Sequence, residues 1–149
     1  MTRTQAGIAA AATLLLVVPG AAQAASPQKN SGYSGTTSQG EALSLVTSAS
    51  GKRVIDLATS LTYRCTGEHD GQSGSFVLDT IKVKSGRFSA RQDLHGTSDE
   101  SVVQGGSGTA TGTFKRRGRR ATGLIRSQIT LNTGETCDSG KVTFTVTLT

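Results

Sequence analysis

The chain has 149 residues, with 16 lysines and arginines against 10 aspartates and glutamates, and a formal net charge of +6. This length suits one domain with a modest core, and the charge favours anionic partners such as wall polymers, lipid headgroups or nucleic acid. Aromatic residues make up only 4% of the chain, and most alternate onto apolar strand faces, so base stacking has few candidates and the composition argues against nucleic acid.

The N-terminus has the layout of a secretory signal peptide. Arg3 precedes an apolar run from Ile8 to Val18, and Ala22-Gln23-Ala24 supplies small residues at the cleavage positions. The run is shorter than the about 20 residues of a membrane span, although a retained anchor is the alternative. We predict cleavage after Ala24, a polar tether over residues 25–31, and a single β domain over residues 32–149. The mature chain should be secreted, with no transmembrane segment.

Alternation of apolar and polar residues is the dominant pattern after the leader. From Ile55 to Cys65 the odd positions are mostly apolar, which predicts a strand with one buried face. Ile81 and Val83 alternate with lysines, and Val142–Leu148 alternates with threonines. Glycine-containing turns separate these segments, so we predict an all-β fold of about eight or nine antiparallel strands. A meander barrel is the expected closure, with a two-layer β-sandwich as the alternative.

Two cysteines, Cys65 and Cys137, predict one structural disulfide, because an exported chain with an even cysteine count most simply pairs them. Cys65 and His69 also have the C-x3-H spacing of a zinc-ligand pair, but the disulfide would compete for the same sulfur. We predict no bound metal and no cofactor. His69, Asp70 and Ser73 lie close together in sequence and are the candidates for a hydrolase site.

Small residues share one face of a glycine-rich segment later in the chain. Gly106, Gly108, Ala110 and Gly112 alternate with serine and threonine residues. Such positions permit tight curvature of a strand, or close approach of the groups that face it. This segment favours the barrel, which also removes exposed strand edges.

The sequence FKRRGRRATG, from Phe114 to Gly123, predicts a hairpin whose turn contains Gly118. Its candidate anion-binding residues are Lys115, Arg116, Arg117, Arg119 and Arg120, with Arg126 further along the same strand. Arginine can bind phosphate or carboxylate groups through two parallel hydrogen bonds. A solvated turn that binds nothing is the alternative interpretation.

Four segments resemble a group of small exported bacterial β proteins of unknown function. They are GTTSQG at Gly35–Gly40, SGRFSAR at Ser85–Arg91, TGTFKRRGRRATG at Thr111–Gly123 and TCDSGKVTFTV at Thr136–Val146. The resemblance spans nearly the whole mature chain. It implies a single exported β domain with a cysteine just before the final strand, and it assigns no catalytic residue.

The leading functional hypothesis is a non-enzymatic binding domain that contacts an anionic envelope polymer or surface through the basic hairpin. A secreted hydrolase with a site near His69–Ser73 is the first alternative. A structural or inhibitory protein-binding domain is the second. The sequence sets no oligomeric state.

Overall fold

The computed structural model describes residues 24–95 and 102–149, which contain eleven strands and no helix. The leader predicted over residues 1–24 falls outside this range, apart from Ala24. The strands are β1 (Gly32–Thr37), β2 (Ala42–Thr47), β3 (Arg53–Thr62), β4 (Arg64–Cys65), β5 (Ser73–Leu78), β6 (Ile81–Lys84), β7 (Arg87–His95), β8 (Val103–Lys115), β9 (Arg120–Leu131), β10 (Thr136–Asp138) and β11 (Val142–Leu148). None of the described residues forms a helix long and apolar enough to cross a membrane.

All the strands belong to one antiparallel sheet, and eight of them close into a barrel-like ring. The order around the ring is β1, β2, β3, β6, β7, β8, β9 and β11, and β11 pairs back with β1. β5 pairs with β3 beyond the end of β6, while β10 joins β9 to β4. The prediction of an all-β antiparallel meander is confirmed.

The ring encloses a core of aliphatic and aromatic side chains. Phe114 is fully buried, with its ring centroid 5.5 Å from that of Tyr33 and 5.7 Å from that of Phe88. Glycines on β8 make room for such rings: a Cβ at Gly112 would overlap the Phe88 ring, and one at Gly108 would overlap Phe76. Gly108 and Gly112 are therefore explained by the close approach of facing aromatic rings, whereas Gly106 is exposed and lies against the backbone of Gln128.

The predicted face of β3 is correct except at its beginning. Leu57, Leu61 and Tyr63 are buried, but Ile55 is 42% exposed and the preceding residue, Val54, is fully buried. The register with β2 shifts here, because Thr47 pairs with Val54 whereas the adjacent Val46 pairs with Asp56. Ile55 is the extra residue of a β-bulge, which reverses the alternation on its N-terminal side.

The antiparallel order divides the turns between two ends of the ring. One end, which we call the basic end, carries the β2–β3, β6–β7 and β8–β9 turns and the segment before β1. The opposite end carries the β1–β2 turn, the β4–β5 loop and the β9–β10 turn. This division places the candidate basic hairpin and the His69–Ser73 candidates at opposite ends.

Candidate functional site

The basic hairpin connects β8 to β9 at the basic end. Lys115 pairs with Arg120 as the last residue pair of the two strands, and residues 116–119 form the turn. Arg116, Arg117 and Arg119 are exposed, while Lys115 and Arg120 are partly buried. The structure thus brings the five sequence-predicted cations together at one hairpin tip.

Three consecutive residues of this turn have left-handed backbone conformations. The φ angles are 51° at Arg116, 58° at Arg117 and 78° at Gly118. Gly118 adopts this conformation without steric cost, whereas a bulky side chain pays of order 1 kcal/mol or more. Asparagine or glycine would be easier at both arginine positions, so the local backbone gives no reason for arginine there.

The segment before β1, together with Tyr33 at the start of β1, braces this hairpin. The Ala25 amide donates to the Phe114 carbonyl at 2.8 Å, and the Gln28 side-chain amide donates to the Arg117 carbonyl at 2.7 Å. The buried Tyr33 hydroxyl donates to the Gly118 carbonyl at 2.6 Å. A Cβ at Gly118 would overlap the backbone of Ser26. The positive φ and this close contact together explain the glycine.

Residues 25–31 were predicted to be a polar tether, and the structure differs from that expectation. Pro27 is buried, and the Thr47 hydroxyl donates to the Gln28 carbonyl at 2.6 Å. The Asn30 amide donates to the Ser48 carbonyl at 2.9 Å. Polar composition suggested a loose segment, but its backbone groups find partners at the end of the ring.

Neighbouring turns extend the cationic surface beyond the hairpin. The Phe114 amide bonds the Gly86 carbonyl at 2.8 Å in the β6–β7 turn, and the Val83 amide bonds the Lys52 carbonyl at 2.8 Å in the β2–β3 turn. The basic residues of this end are Lys29, Lys52, Arg53, Lys82, Lys84, Arg87, Lys115, Arg116, Arg117, Arg119 and Arg120. Lys82, Lys84 and Arg87 border an open groove of about 470 Å³ on the outer face of the sheet.

Within residues 24–95 and 102–149, no cation of the basic end forms an ion pair. The ion pairs found there join Arg64 to Asp70, Arg91 to Asp93 and Arg126 to Asp138, and the His69 ring bonds Glu135. The acidic side chains nearest to the basic end along the strands are Asp56 and Asp79, and neither takes part in these pairs. Within the described ranges, the cations of this end are therefore not paired with acidic side chains.

Arg126 does not belong with the hairpin tip, although the sequence hypothesis included it. Its Nη2 lies 2.6 Å from Asp138 Oδ2, and its Nε lies 3.4 Å from Asp138 Oδ1. Hydrogen bonds from Arg126, Gly140 and Gln128 lower the pKa of Asp138 to about 2 despite partial desolvation. Arg126 is neutralised by a neighbouring strand and lies six positions further along β9 than Arg120.

The opposite end contains the predicted disulfide. Cys65 on β4 and Cys137 on β10 are directly paired across the strands and joined through their sulfurs. Because both sulfurs are bonded to each other, they are not available as the zinc ligands considered from the spacing of Cys65 and His69. No group of three potential metal ligands occurs within the described ranges.

His69 is paired with a carboxylate that the sequence did not indicate. Its Nδ1 bonds Glu135 Oε2 in the β9–β10 turn, and the Thr133 hydroxyl donates to the same oxygen at 3.1 Å. Partial desolvation raises the pKa of Glu135, but the hydrogen bonds from His69 and Thr133 outweigh it, so the net pKa is lowered. The two residues are 66 positions apart in sequence, and no local motif near Glu135 predicts the contact.

The other two hydrolase candidates have different partners. Asp70 accepts a hydrogen bond from the Cys65 amide at 3.0 Å and lies 3.6 Å from Arg64 Nη1. The Ser73 hydroxyl lies 3.3 Å from the Thr62 hydroxyl. His69 and Ser73 both line one cavity, but Asp70 does not. The carboxylate that holds the imidazole is thus Glu135 instead of Asp70.

Comparisons with protein-family models, with curated proteins and with solved structures found no match for this chain. The resemblance to small exported bacterial proteins therefore stays a prediction. Function has to be argued from the geometry of the two ends.

Proposed function

We propose that this protein is an exported, non-enzymatic β domain whose basic end binds an anionic polymer or surface of the cell envelope or its surroundings. The observation that carries the proposal is the concentration of unpaired lysine and arginine side chains on three adjacent turns. The export step rests on the signal-peptide pattern, and the Cys65–Cys137 disulfide is compatible with it.

Clustered cations of one sign attract polyanions from a distance. Their potentials add when no carboxylate lies between them, which raises both the rate and the affinity of association. Screening limits this attraction to about 8–10 Å at physiological ionic strength. A polymer or surface that presents several anionic groups could contact the hairpin tip and the Lys84–Arg87 region together, so affinity should depend strongly on salt.

The conformation of the hairpin supports a role for the arginines beyond solubility. Arg116 and Arg117 are held at positive φ, where the backbone would favour glycine or asparagine. Arg120 Nε is a buried donor for which the described residues provide no acceptor. The Arg120 side chain is therefore not held by an acceptor of the fold through this atom, and it is only partly buried, so an anionic oxygen can bind the remainder of its guanidinium.

The test is sedimentation of the mature protein with insoluble bacterial cell-envelope material across a salt series. The basic-end variant carries Arg116→Gln, Arg117→Gln and Arg119→Gln, which leaves the partly buried Lys115 and Arg120 in place. Loss of three contacts worth about 0.5 kcal/mol each would weaken binding roughly tenfold. Binding by the wild-type protein should also fall steeply as salt increases.

The matched control removes the same charge from elsewhere, through Arg64→Gln, Arg91→Gln and Lys141→Gln. Arg64 and Arg91 form only exposed, long ion pairs, so the control should fold and bind like the wild-type protein. An equal loss of affinity in both variants would mean that binding depends on net charge and not on the basic end. Wild-type binding that is absent, or insensitive to both salt and the basic-end substitutions, would leave the hairpin as a solvated turn.

The hydrolase alternative stays a prediction. The His69–Glu135 pair supplies a histidine held by a carboxylate, but the hydrogen-bond partner of Ser73 is Thr62. Activity in a broad hydrolase panel that disappears in His69→Ala would support an enzyme, and the absence of any activity would count against it. The protein-binding alternative predicts a stoichiometric partner whose capture survives high salt.

A further inference from the structure

A partly enclosed cavity at the opposite end is separate from the proposed anion-binding surface. Its volume is about 270 Å³, and its walls include Val103, Ile129, Leu131 and the Cys65–Cys137 disulfide. A cavity of about 150 Å³ with apolar walls is large enough to hold benzene. The cavity here can therefore hold a single ring with a few substituents, but not a ligand of ordinary drug size.

The polar groups of this cavity are few, and their roles differ. Tyr63 contributes its ring to the wall, but its hydroxyl lies 3.0 Å from the Ser127 hydroxyl and is buried with it. Gln72 and Ser73 are exposed at the cavity. His69 is the lining residue whose ring is fixed in place, by the bond from Nδ1 to Glu135.

This bond determines what the imidazole can offer a ligand. Glu135 has a lowered pKa and is ionised at neutral pH, so it can only accept hydrogen bonds. Nδ1 must therefore carry the proton that is shared with Glu135. On the neutral imidazole this leaves Nε2 as an acceptor, and no residue within the described ranges bonds it. A ligand that matches this site needs a hydrogen-bond donor on an otherwise apolar body.

We propose that the cavity between β4, β5, β8, β9 and β10 binds a small apolar molecule with one hydroxyl group, of about the size of a substituted phenol. The ring lies against Ile129, Leu131 and the disulfide, and the hydroxyl donates to His69 Nε2. Glu135 is a positioning residue in this arrangement, because it holds the imidazole and does not contact the ligand. Gly67 leaves room for the Glu135 side chain in this position, since a Cβ at residue 67 would overlap the Glu135 carboxylate.

The experiment compares p-cresol with toluene, which has the same ring and methyl group but no hydroxyl. Binding to the mature protein is followed by amide chemical shifts at pH 8. We expect p-cresol to bind roughly fivefold more tightly than toluene, which corresponds to one net hydrogen bond. The largest shifts should fall on Gly74, Ile129 and their neighbours around the cavity.

Two variants distinguish a specific hydrogen-bonding site from a cavity that binds any apolar molecule of suitable size. In His69→Leu the preference for p-cresol should disappear while toluene still binds; His95→Leu, at an exposed histidine outside the cavity, should behave like the wild-type protein. If His69→Leu fails to fold, Gly67→Ala provides the second measurement, because it displaces Glu135 and should reduce the preference. Equal affinity for the two probes, no binding of either, or a preference that survives loss of His69 would overturn the proposal.

Discussion

The two ends of the ring use the same types of residue in opposite ways. At the opposite end, Arg64 is close to Asp70, and His69 bonds Glu135. At the basic end, cations from three turns face solvent with no carboxylate partner among the described residues. Paired charges serve the fold, and unpaired ones are available to an outside partner, so the difference separates structural charge from candidate functional charge.

The two ends also differ in how their loops are held. The opposite end has a covalent link between β4 and β10, together with a side-chain pair that connects two loops. At the basic end, the described contacts that hold the hairpin are hydrogen bonds to its backbone from the N-terminal segment, Tyr33 and the neighbouring strands. Variants at the two ends should therefore have distinct effects on stability and binding.

The largest expected effect comes from removing the disulfide. Cys65 and Cys137 are separated by 72 positions, so the bond restricts a long loop in the unfolded chain. The double variant Cys65→Ser with Cys137→Ser should lower the free energy of unfolding by roughly 4 kcal/mol, measured by urea denaturation. Hydrogen exchange should accelerate most at β4 and β10, and least at the β8–β9 hairpin.

Envelope binding provides the matched measurement for this variant. At a temperature where the double variant remains folded, its affinity should equal that of the wild-type protein, because the disulfide lies at the end remote from the cations. A loss of stability below about 1 kcal/mol would contradict the estimate from loop closure. A parallel loss of affinity would show that the two ends are coupled.

A smaller effect is expected from relieving the strain at Arg117. Asparagine tolerates the left-handed conformation better than arginine does, so Arg117→Asn should raise the free energy of unfolding by about 0.5–1 kcal/mol. The bond from Gln28 is to the Arg117 carbonyl and survives the change. Losing one cation should weaken envelope binding about two- to threefold.

Arg119→Asn is the control, because Arg119 is exposed and is not among the residues with positive φ. It removes the same charge from the same turn, so its affinity should fall by a similar factor without any gain in stability. If both variants gain stability equally, relief of charge repulsion is the cause instead of backbone strain. If neither loses affinity, the two arginines do not contact the anion.

Features of the fold that depend on neighbouring residues could be predicted from the sequence. Alternation fixed the buried faces of β6 and β11, and the turn around Gly118 placed the cations at a hairpin tip. Ile55 was placed wrongly because a bulge depends on the register with β2, and that register is set across the sheet and not within β3.

The sites were less predictable because their partners are distant in the chain. Asp70 is adjacent to His69 in sequence, but the β9–β10 turn brings Glu135 to the imidazole instead. The bracing of Gly118 by Tyr33 joins positions 85 residues apart. Polar composition also gave residues 25–31 the character of a tether, although their backbone groups are bonded to the ring.

The smallest expected effect concerns Arg126 on β9. It compares the stability contributed by this paired arginine with that of the unpaired arginines at the hairpin tip. Hydrogen bonds from Arg126, with weaker help from Gly140 and Gln128, lower the pKa of Asp138 from 3.8 to about 2. Because the folded-state pKa is below the unfolded value, this carboxylate stabilises the protein above about pH 4, and the contribution is lost as the pH falls towards 2. The Asp138 side chain is 34% exposed, so solvent screening should reduce the contribution to less than about 1 kcal/mol.

Thermal unfolding of the wild-type protein and of Asp138→Asn between pH 7 and pH 2 measures this contribution. The wild-type protein should be slightly more stable at pH 7, and the difference should shrink as the pH falls to 2, because Asp138 with a pKa of about 2 is then about half protonated. Arg126→Gln should show the same loss at pH 7, whereas Arg119→Gln, which has no carboxylate partner to lose, should not. A difference between wild type and Asp138→Asn that persists unchanged at pH 2 would mean that the ion pair is not its source, and that Arg126 owes its place to packing along β9.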